Sequence, residues 1–155
     1  MTAMHVSAKV DYGMRALLVI AQESGGSGAL IKGDHLASAQ DIPARFLEGI
    51  LRQLRQAGMI ASQRGAEGGY RLARPASEIT VADVFRALDG PLADVRGARP
   101  EKADYTGAAE HLSEVWVATR AALRGVLDHV TLDDIASGRL PETVTGFTSN
   151  PDAWT

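Results

Sequence analysis

Residues 33–73 constrain the fold of this chain more tightly than any other segment. Two short stretches with helical spacing of apolar residues are separated by Ile42-Pro43, and proline suits the first turn of the helix that follows it. A run with three glycines comes next, and glycine permits the backbone angles that a tight hairpin needs. The segment therefore predicts helices over about 33–39 and 44–57 and strands over about 60–63 and 69–73.

Capping residues and glycines mark the other helices. Ser7 suits the N-cap of a first helix that ends at the GGSG of residues 25–28, and Thr80 suits the N-cap of another helix. Apolar residues at spacings of three and four predict the longest helix from about Ala108 to His129, and a short helix follows Thr131. These elements predict a mainly α fold with a small β hairpin.

The distribution of charge singles out the second helix of the pair and the hairpin. The net charge is −3, but residues 1–75 hold nine Lys or Arg against six Asp or Glu, and the rest of the chain is acidic. Six arginines lie between Arg45 and Arg74, against the two acids Glu48 and Glu67. Helix, turn, helix and hairpin in this order form a winged helix-turn-helix, whose second helix fits the major groove of DNA. Arginine at a hairpin tip suits the negative potential of the minor groove, so double-stranded DNA is the expected partner.

Composition and motifs exclude several other classes of protein. The chain has no cysteine, which excludes disulfides, thiolate metal sites and a cysteine nucleophile. It has no apolar run of the roughly 18 residues that a membrane span requires, and Asp11 and Arg15 interrupt any signal-peptide pattern. No nucleophile–histidine–acid set, phosphate loop or HExxH pattern occurs, so we expect a cytoplasmic protein that is not an enzyme.

A specific motif runs from the second helix of the pair into the hairpin. The stretch IPARFLEGILRQLRQAGMIASQRGAEGGYRLAR, followed by ITVADVFRALDGP, carries the pattern RG-x-x-GGY-x-L. These residues resemble the bacterial winged helix-turn-helix repressor family of IscR, NsrR and CymR. The resemblance extends over about residues 4–140 and implies a sequence-specific transcription regulator, most simply a repressor that occludes a promoter.

The resemblance also implies roles for individual residues. Base reading is implied for Arg45, Glu48 and Gly49, a minor-groove wing for Arg64 and Gly65, and phosphate contacts for Arg52, Arg55 and Arg71. Glu48 could accept a hydrogen bond from a cytosine amino group, and the alternative is an i,i+4 ion pair with Arg52. Tyr70 is expected to pack at the base of the wing rather than to contact DNA.

The chain departs from many relatives in the loop over 91–107. Those relatives hold an iron–sulfur cluster there through cysteines, and thiolates are the ligands that such clusters require. We therefore expect no cofactor in this chain. Relatives of the cluster-free CymR branch respond through a metabolic enzyme, so the alternative function is a protein-docking module that responds to such an enzyme or to a small effector.

Polar and aromatic residues near the long helix suggest two further kinds of site. Tyr105, His111 and Trp116 could line a small effector pocket, although Trp116 has the helical spacing of an ordinary packing residue. His111 and Glu114 share one helix face and could contribute to a zinc site. The simpler interpretation is a solvated polar face, and we expect no metal.

The apolar stripe of the long helix is too long for a small helical head to cover. A second copy of the same helix could bury the surplus in a two-fold dimer on a palindromic operator, whereas the first and fourth helices could cover it within one chain. The resemblance favours the homodimer. The expected division is a winged helix-turn-helix DNA-binding domain over 1–90, a loop over 91–107, a dimerisation helix and short last helix over 108–139, and a flexible tail over 140–155.

Overall fold

The structure is a computed structural model that describes residues 5–155. Residues 1–4, which begin the expected first domain, lie outside the described residues. The described part is mainly helical with one antiparallel hairpin, as predicted. Its elements are α1 (Ala8–Ser24), α2 (Gly33–Ala39), α3 (Ala44–Gln56), β1 (Ile60–Gln63), β2 (Gly69–Leu72), α4 (Val81–Leu88), α5 (Leu112–Leu127), α6 (Leu132–Ser137) and α7 (Glu142–Thr148).

Helix α1 lies at the centre of the core. The Ser7 side chain accepts a hydrogen bond from the Val10 N–H at 3.1 Å, and Gly25 ends the helix in the left-handed conformation, so both predicted caps are confirmed. Leu17 and Ile20 are fully buried where α1 contacts α3, α4, α6 and β2. Each such side chain contributes about 1.5–3 kcal/mol of burial free energy. The core around them is completed by Leu36, Leu47, Ile50, Leu51, Leu54, Met59, Ile60, Ile79, Val84, Leu88 and Leu132.

The hairpin is anchored to the chain that precedes α2. Strands β1 and β2 pair in register from Ile60 with Leu72 to Gln63 with Gly69. Ile31 then adds a bridge to Tyr70, in which each residue donates its N–H to the carbonyl of the other at 2.8 Å. The half-buried Tyr70 ring packs against the core, so the prediction that it supports the base of the wing is confirmed.

The C-terminal part of the chain returns to the core after α5. The N–H of Val81 donates to the carbonyl of Val130 at 2.9 Å, and the N–H of Leu132 donates to the carbonyl of Ile79 at 3.0 Å. Thr80 and Thr131 pair between these bonds, and each caps its helix through a reciprocal capping box. Because Leu132 is fully buried against α1, α6 packs as part of the head and not as part of a separate unit with α5.

Helix α5 differs from the expected long helix. We expected it to run from about Ala108 to His129 and to be the longest helix, but it has 16 residues and α1 has 17. Residues Gly107–Ala109 form a 3-10 turn instead, with i to i+3 hydrogen bonds, and no side chain caps the start of α5. The apolar stripe itself lies within Leu112–Leu127, and the expected bounds were too wide because apolar spacing alone does not mark where a helix begins.

Two segments that we expected to lack regular structure contain short elements. The loop over 91–107 holds a 3-10 turn at Pro100–Lys102, and the tail over 140–155 holds α7 and a 3-10 turn at Pro151–Trp154. The Asn150 side chain caps the last turn by accepting from the Asp152 N–H at 3.1 Å. None of the helices within residues 5–155 is both long enough and apolar enough to cross a membrane.

Replacing Leu132 by alanine should destabilise the whole head, because it opens a cavity against α1. We expect the free energy of unfolding in urea to fall by about 2–5 kcal/mol. Leu140→Ala, at an exposed leucine, serves as the matched control and should change stability by less than about 0.5 kcal/mol. Equal effects of the two changes would show that α6 is not part of the core.

Candidate nucleic-acid interface

Helix α3 separates an apolar face from a polar one. Its buried face consists of Leu47, Ile50, Leu51 and Leu54. The residues predicted to contact DNA from this helix are all exposed, namely Arg45, Glu48, Gly49, Arg52 and Arg55. Because the buried face fixes α3 on the core, this polar face is held outward as one continuous surface.

The hairpin extends the same basic surface. Arg64 and Gly65 lie exposed at its tip, and Arg71 is exposed on β2. The Arg55 guanidinium donates to the Ser62 hydroxyl at 3.1 Å, which ties the end of α3 to β1. A groove of about 430 Å³ at this junction is lined by Arg55 and Arg64 and also by Lys32.

Lys32 is a basic residue that the sequence analysis did not assign to the interface. It stands at the N-cap of α2, makes no side-chain cap bond and is exposed beside the wing. Its position just before the first helix of the pair is the signal that could have identified it, since that helix crosses the DNA backbone in this fold. We add Lys32 to the candidate phosphate contacts.

The two interpretations of Glu48 remain open in the structure. The closest approach between an oxygen of Glu48 and a nitrogen of Arg52 is 3.9 Å, and their side chains are 79% and 60% exposed. A pair at this distance on a helix surface contributes a few tenths of a kcal/mol at most. The Glu48 carboxylate is therefore available to accept a hydrogen bond from a ligand.

Phe46 does not face inward, although it stands four residues before the buried Ile50 and its spacing predicts the apolar face of α3. Its side chain is 49% exposed, and the Arg45 guanidinium carbon lies 4.8 Å from the centre of its ring, a cation–π contact. Position 46 is at the edge of the apolar stripe, where the groove between α1 and α3 leaves it uncovered beside Tyr12. Phe46 is therefore part of the exposed surface of α3. The spacing of apolar residues along the helix could not show which of them the neighbouring helix leaves uncovered.

Arg74, one of the six arginines, lies away from this surface. It follows β2, is less exposed than Arg64 and lies 3.9 Å from the carboxylate of Asp83 in α4. The basic surface is therefore built from Arg45, Arg52, Arg55 and Arg64 together with Lys32, whereas Arg71 is exposed but lines a separate groove with Arg74. The sequence counted Arg74 with the others because it is close to them along the chain.

The predicted effector pocket is only partly assembled. The Trp116 ring N–H donates to the Tyr105 hydroxyl at 3.2 Å, and both line a cavity of about 610 Å³ beside the loop over 91–107. His111 is not among the lining residues; it is about 81% exposed and lies 3.5 Å from Glu114. Within residues 5–155, no group of three or more His, Asp or Glu could hold a metal ion.

Comparison with known proteins identifies the family of this chain. Residues 6–138 match the model of the Rrf2 family, described as an iron-dependent transcriptional regulator. The chain belongs to the Rrf2 family of transcriptional regulators. It is a regulator and not an enzyme, as predicted, and its winged-helix fold is that of its structural neighbours.

Three relatives show how far the similarity extends. A protein of Mycobacterium tuberculosis assigned as an HTH-type transcriptional regulator is 48% identical over 141 residues, which cover 91% of this chain and 86% of that protein. The structure of CymR, the global cysteine regulator of B. subtilis, has a TM-score of 0.73 and 32% identity over 88% of this chain and 98% of that one. The structure of T. potens IscR has a TM-score of 0.69 and 29% identity over 88% of each chain.

The family description names iron, but the donor set of this chain does not fit an iron–sulfur cluster. The loop over 91–107 offers only the carboxylates Asp94, Glu101 and Asp104 as anionic side chains, and the sequence has no thiolate. Glu101 is also engaged, since its carboxylate accepts from the Arg120 guanidinium at 2.7 Å. This loop is held to α5 by an ion pair.

Gly69→Ala should disorder the wing, because a methyl group at this position would lie 2.7 Å from the Ile31 carbonyl oxygen. We expect a cost of about 1–3 kcal/mol and faster hydrogen exchange of the Tyr70 amide, which donates to that carbonyl. Gly49→Ala is the matched control, since nothing lies within 4 Å there and alanine favours a helix by about 1 kcal/mol. Unchanged protection of Tyr70 in the Gly69 variant would contradict this account of the wing.

Proposed function

We propose that this regulator acts in the cytoplasm as a repressor, and that it binds a palindromic operator as a homodimer without an iron–sulfur cluster. One observation supports this proposal above all: the exposed face of α3 and the wing tip form one basic surface on an otherwise acidic protein. When this surface is bound to an operator, the regulator would occlude the promoter. Contacts with phosphates would supply affinity and contacts with bases would supply specificity.

The two exposed elements suit different parts of a DNA duplex. Helix α3 enters the major groove, where Arg45 donates to a guanine edge and Glu48 accepts from a cytosine amino group. Gly49 allows the helix backbone to approach the bases, and the exposed Phe46 ring can contact a thymine methyl group. Arg64 and Gly65 then reach the minor groove. Phosphates are contacted by Arg52, Arg55 and Arg71, and by Lys32.

Helix α5 supports the homodimer. None of its residues is buried within one chain, and Val115 and Trp116 are 53% and 37% exposed. Within residues 5–155, α5 packs mainly against the 3-10 turn at Pro100–Lys102, with fewer contacts to α4 and α7. A second copy of α5 would cover the rest in a two-fold interface, which places two α3 helices in successive major grooves about 34 Å apart.

Selection of binding sites from random DNA should yield a palindrome with two half-sites about one helical turn apart. Val115→Glu places a charge in the proposed interface, so it should shift the protein towards a monomer in light scattering and lower the affinity for the palindrome to that for one half-site. Ala121→Glu, at an exposed position about 120° around α5 from Val115 and outside its apolar stripe, is the matched control and should do neither. Selection of no palindrome over random DNA at moderate salt would reject the proposal.

Two arginine variants should separate specificity from affinity. Arg64→Ala should weaken operator binding and reduce discrimination for A·T-rich flanks, because it removes the minor-groove contact. Arg52→Ala should weaken binding to all DNA about equally and lower the slope of log K against log salt by about one unit. Arg139→Ala removes an exposed arginine in the acidic half and should leave both properties unchanged. If the first two variants bound DNA like the unchanged protein, the proposed docking geometry would be wrong.

A further inference from the structure

A second group of arginines lies away from the DNA-binding surface, around a cavity of about 420 Å³. The cavity opens between α4, the loop over 91–107 and α5. Its lining consists of Gly90, Pro91, Leu92 and Ala93 together with five charged residues: Arg86, Arg99, Glu101, Arg120 and Arg124. It is distinct from the cavity lined by Tyr105 and Trp116, since the two share only Ala93.

The concentration of arginine here runs against the composition of this part of the chain. Residues 76–155 hold seven Lys or Arg against thirteen Asp or Glu, and four of the seven basic residues line this one cavity. Arg120 and Arg124 are also one helical turn apart on α5, where two like charges destabilise a helix. Anions nearby would offset the repulsion between these guanidinium groups.

The protein itself supplies only part of that negative charge. Glu101 is the one acid among the lining residues, and it bridges two arginines: its carboxylate lies 2.7 Å from Arg120 and 3.9 Å from Arg99. Arg86 is paired outside the lining, with Asp128 at 2.9 Å. Among residues 5–155, no carboxylate oxygen lies within 4.0 Å of the Arg124 guanidinium.

Glu101 is held in its charged form. A hydrogen bond from its own backbone N–H has the largest effect and lowers the pKa of its carboxyl group; burial opposes this, and Arg120 and Arg99 lower the pKa further. The Glu101 carboxylate is therefore an internal anion. It lies where an anionic ligand would contact Arg99 and Arg120.

We propose that this cavity binds a small molecule with two oxyanion groups, such as a dicarboxylate or a phosphorylated acid. One group replaces the Glu101 carboxylate on Arg99 and Arg120, and the other pairs with Arg124. Arginine suits this task because its planar fork donates two parallel hydrogen bonds to a carboxylate or phosphate. The volume lies within the range of small-ligand sites, about 300–1,000 Å³. This inference goes beyond operator binding and identifies where a regulatory metabolite would act.

The test uses the full chain without DNA, at constant ionic strength. Succinate and 2-phosphoglycolate, which carry two anionic groups each, are titrated by calorimetry, with acetate and inorganic phosphate as probes that carry a single anionic group. We expect each two-group probe to bind more tightly than its single-group counterpart. Glu101→Gln removes the competing carboxylate but keeps a hydrogen-bond acceptor for Arg120, so it should raise the affinity for succinate or 2-phosphoglycolate about tenfold. The preferred probe tells whether carboxylates or phosphate are the natural groups.

Two double variants identify the site that responds. Arg99→Ala with Arg124→Ala should lower the affinity of the Glu101→Gln protein at least about tenfold. Arg52→Ala with Arg64→Ala, on the DNA-binding surface, should leave the affinity unchanged. The proposal would be overturned if the Arg52 and Arg64 variant lost affinity while the Arg99 and Arg124 variant kept it. It would also be overturned if the Glu101→Gln protein bound neither anion. Because no DNA is present, a failure to find an operator would not affect this outcome, and failure here would not affect operator binding.

Discussion

The enclosure of α1 is the constraint on which the rest of the structure depends. α1 contacts α3, α4, α6 and β2, and Leu17 and Ile20 are inaccessible to solvent. Gly13 lets α4 approach closely, since a methyl group there would clash with the Leu88 side chain. With α1 fixed in this way, α3 can pack only through its leucine and isoleucine face. The orientation of the exposed basic face is therefore a consequence of core packing.

Much of this architecture could be predicted from the sequence because its signals are local. The bounds of α2 agree with the expected ones, the helices after Thr80 and Thr131 begin where these threonines predict, and the hairpin follows from its glycines. The motif that runs through α3 and the wing led to the correct family. Short-range hydrogen bonds and turn preferences decide all of these features.

The features that escaped prediction depend on contacts between distant segments. Nothing in the spacing of Phe46 showed that α1 would leave its ring uncovered, and nothing near Arg74 in sequence pointed to Asp83. The place of α6 in the core results from backbone pairing with residues about fifty positions earlier. His111 was grouped with Tyr105 and Trp116 because they are close in sequence, but only the latter two meet in space. The roles of single residues on DNA stay predictions.

The path of the chain between α4 and α6 has a mechanical consequence. The segment over 89–129 leaves from the C-terminal end of α4 and re-enters beside its N-terminal end, where Val130 and Leu132 bond to the backbone around Thr80. Val130 lies three residues after the end of α5, so a displacement of α5 would reach α4 most directly at its N-terminal end, whereas the loop over 89–111 forms the longer connection. Since α4 also packs against α3, such a movement would shift the basic face of α3 relative to the core.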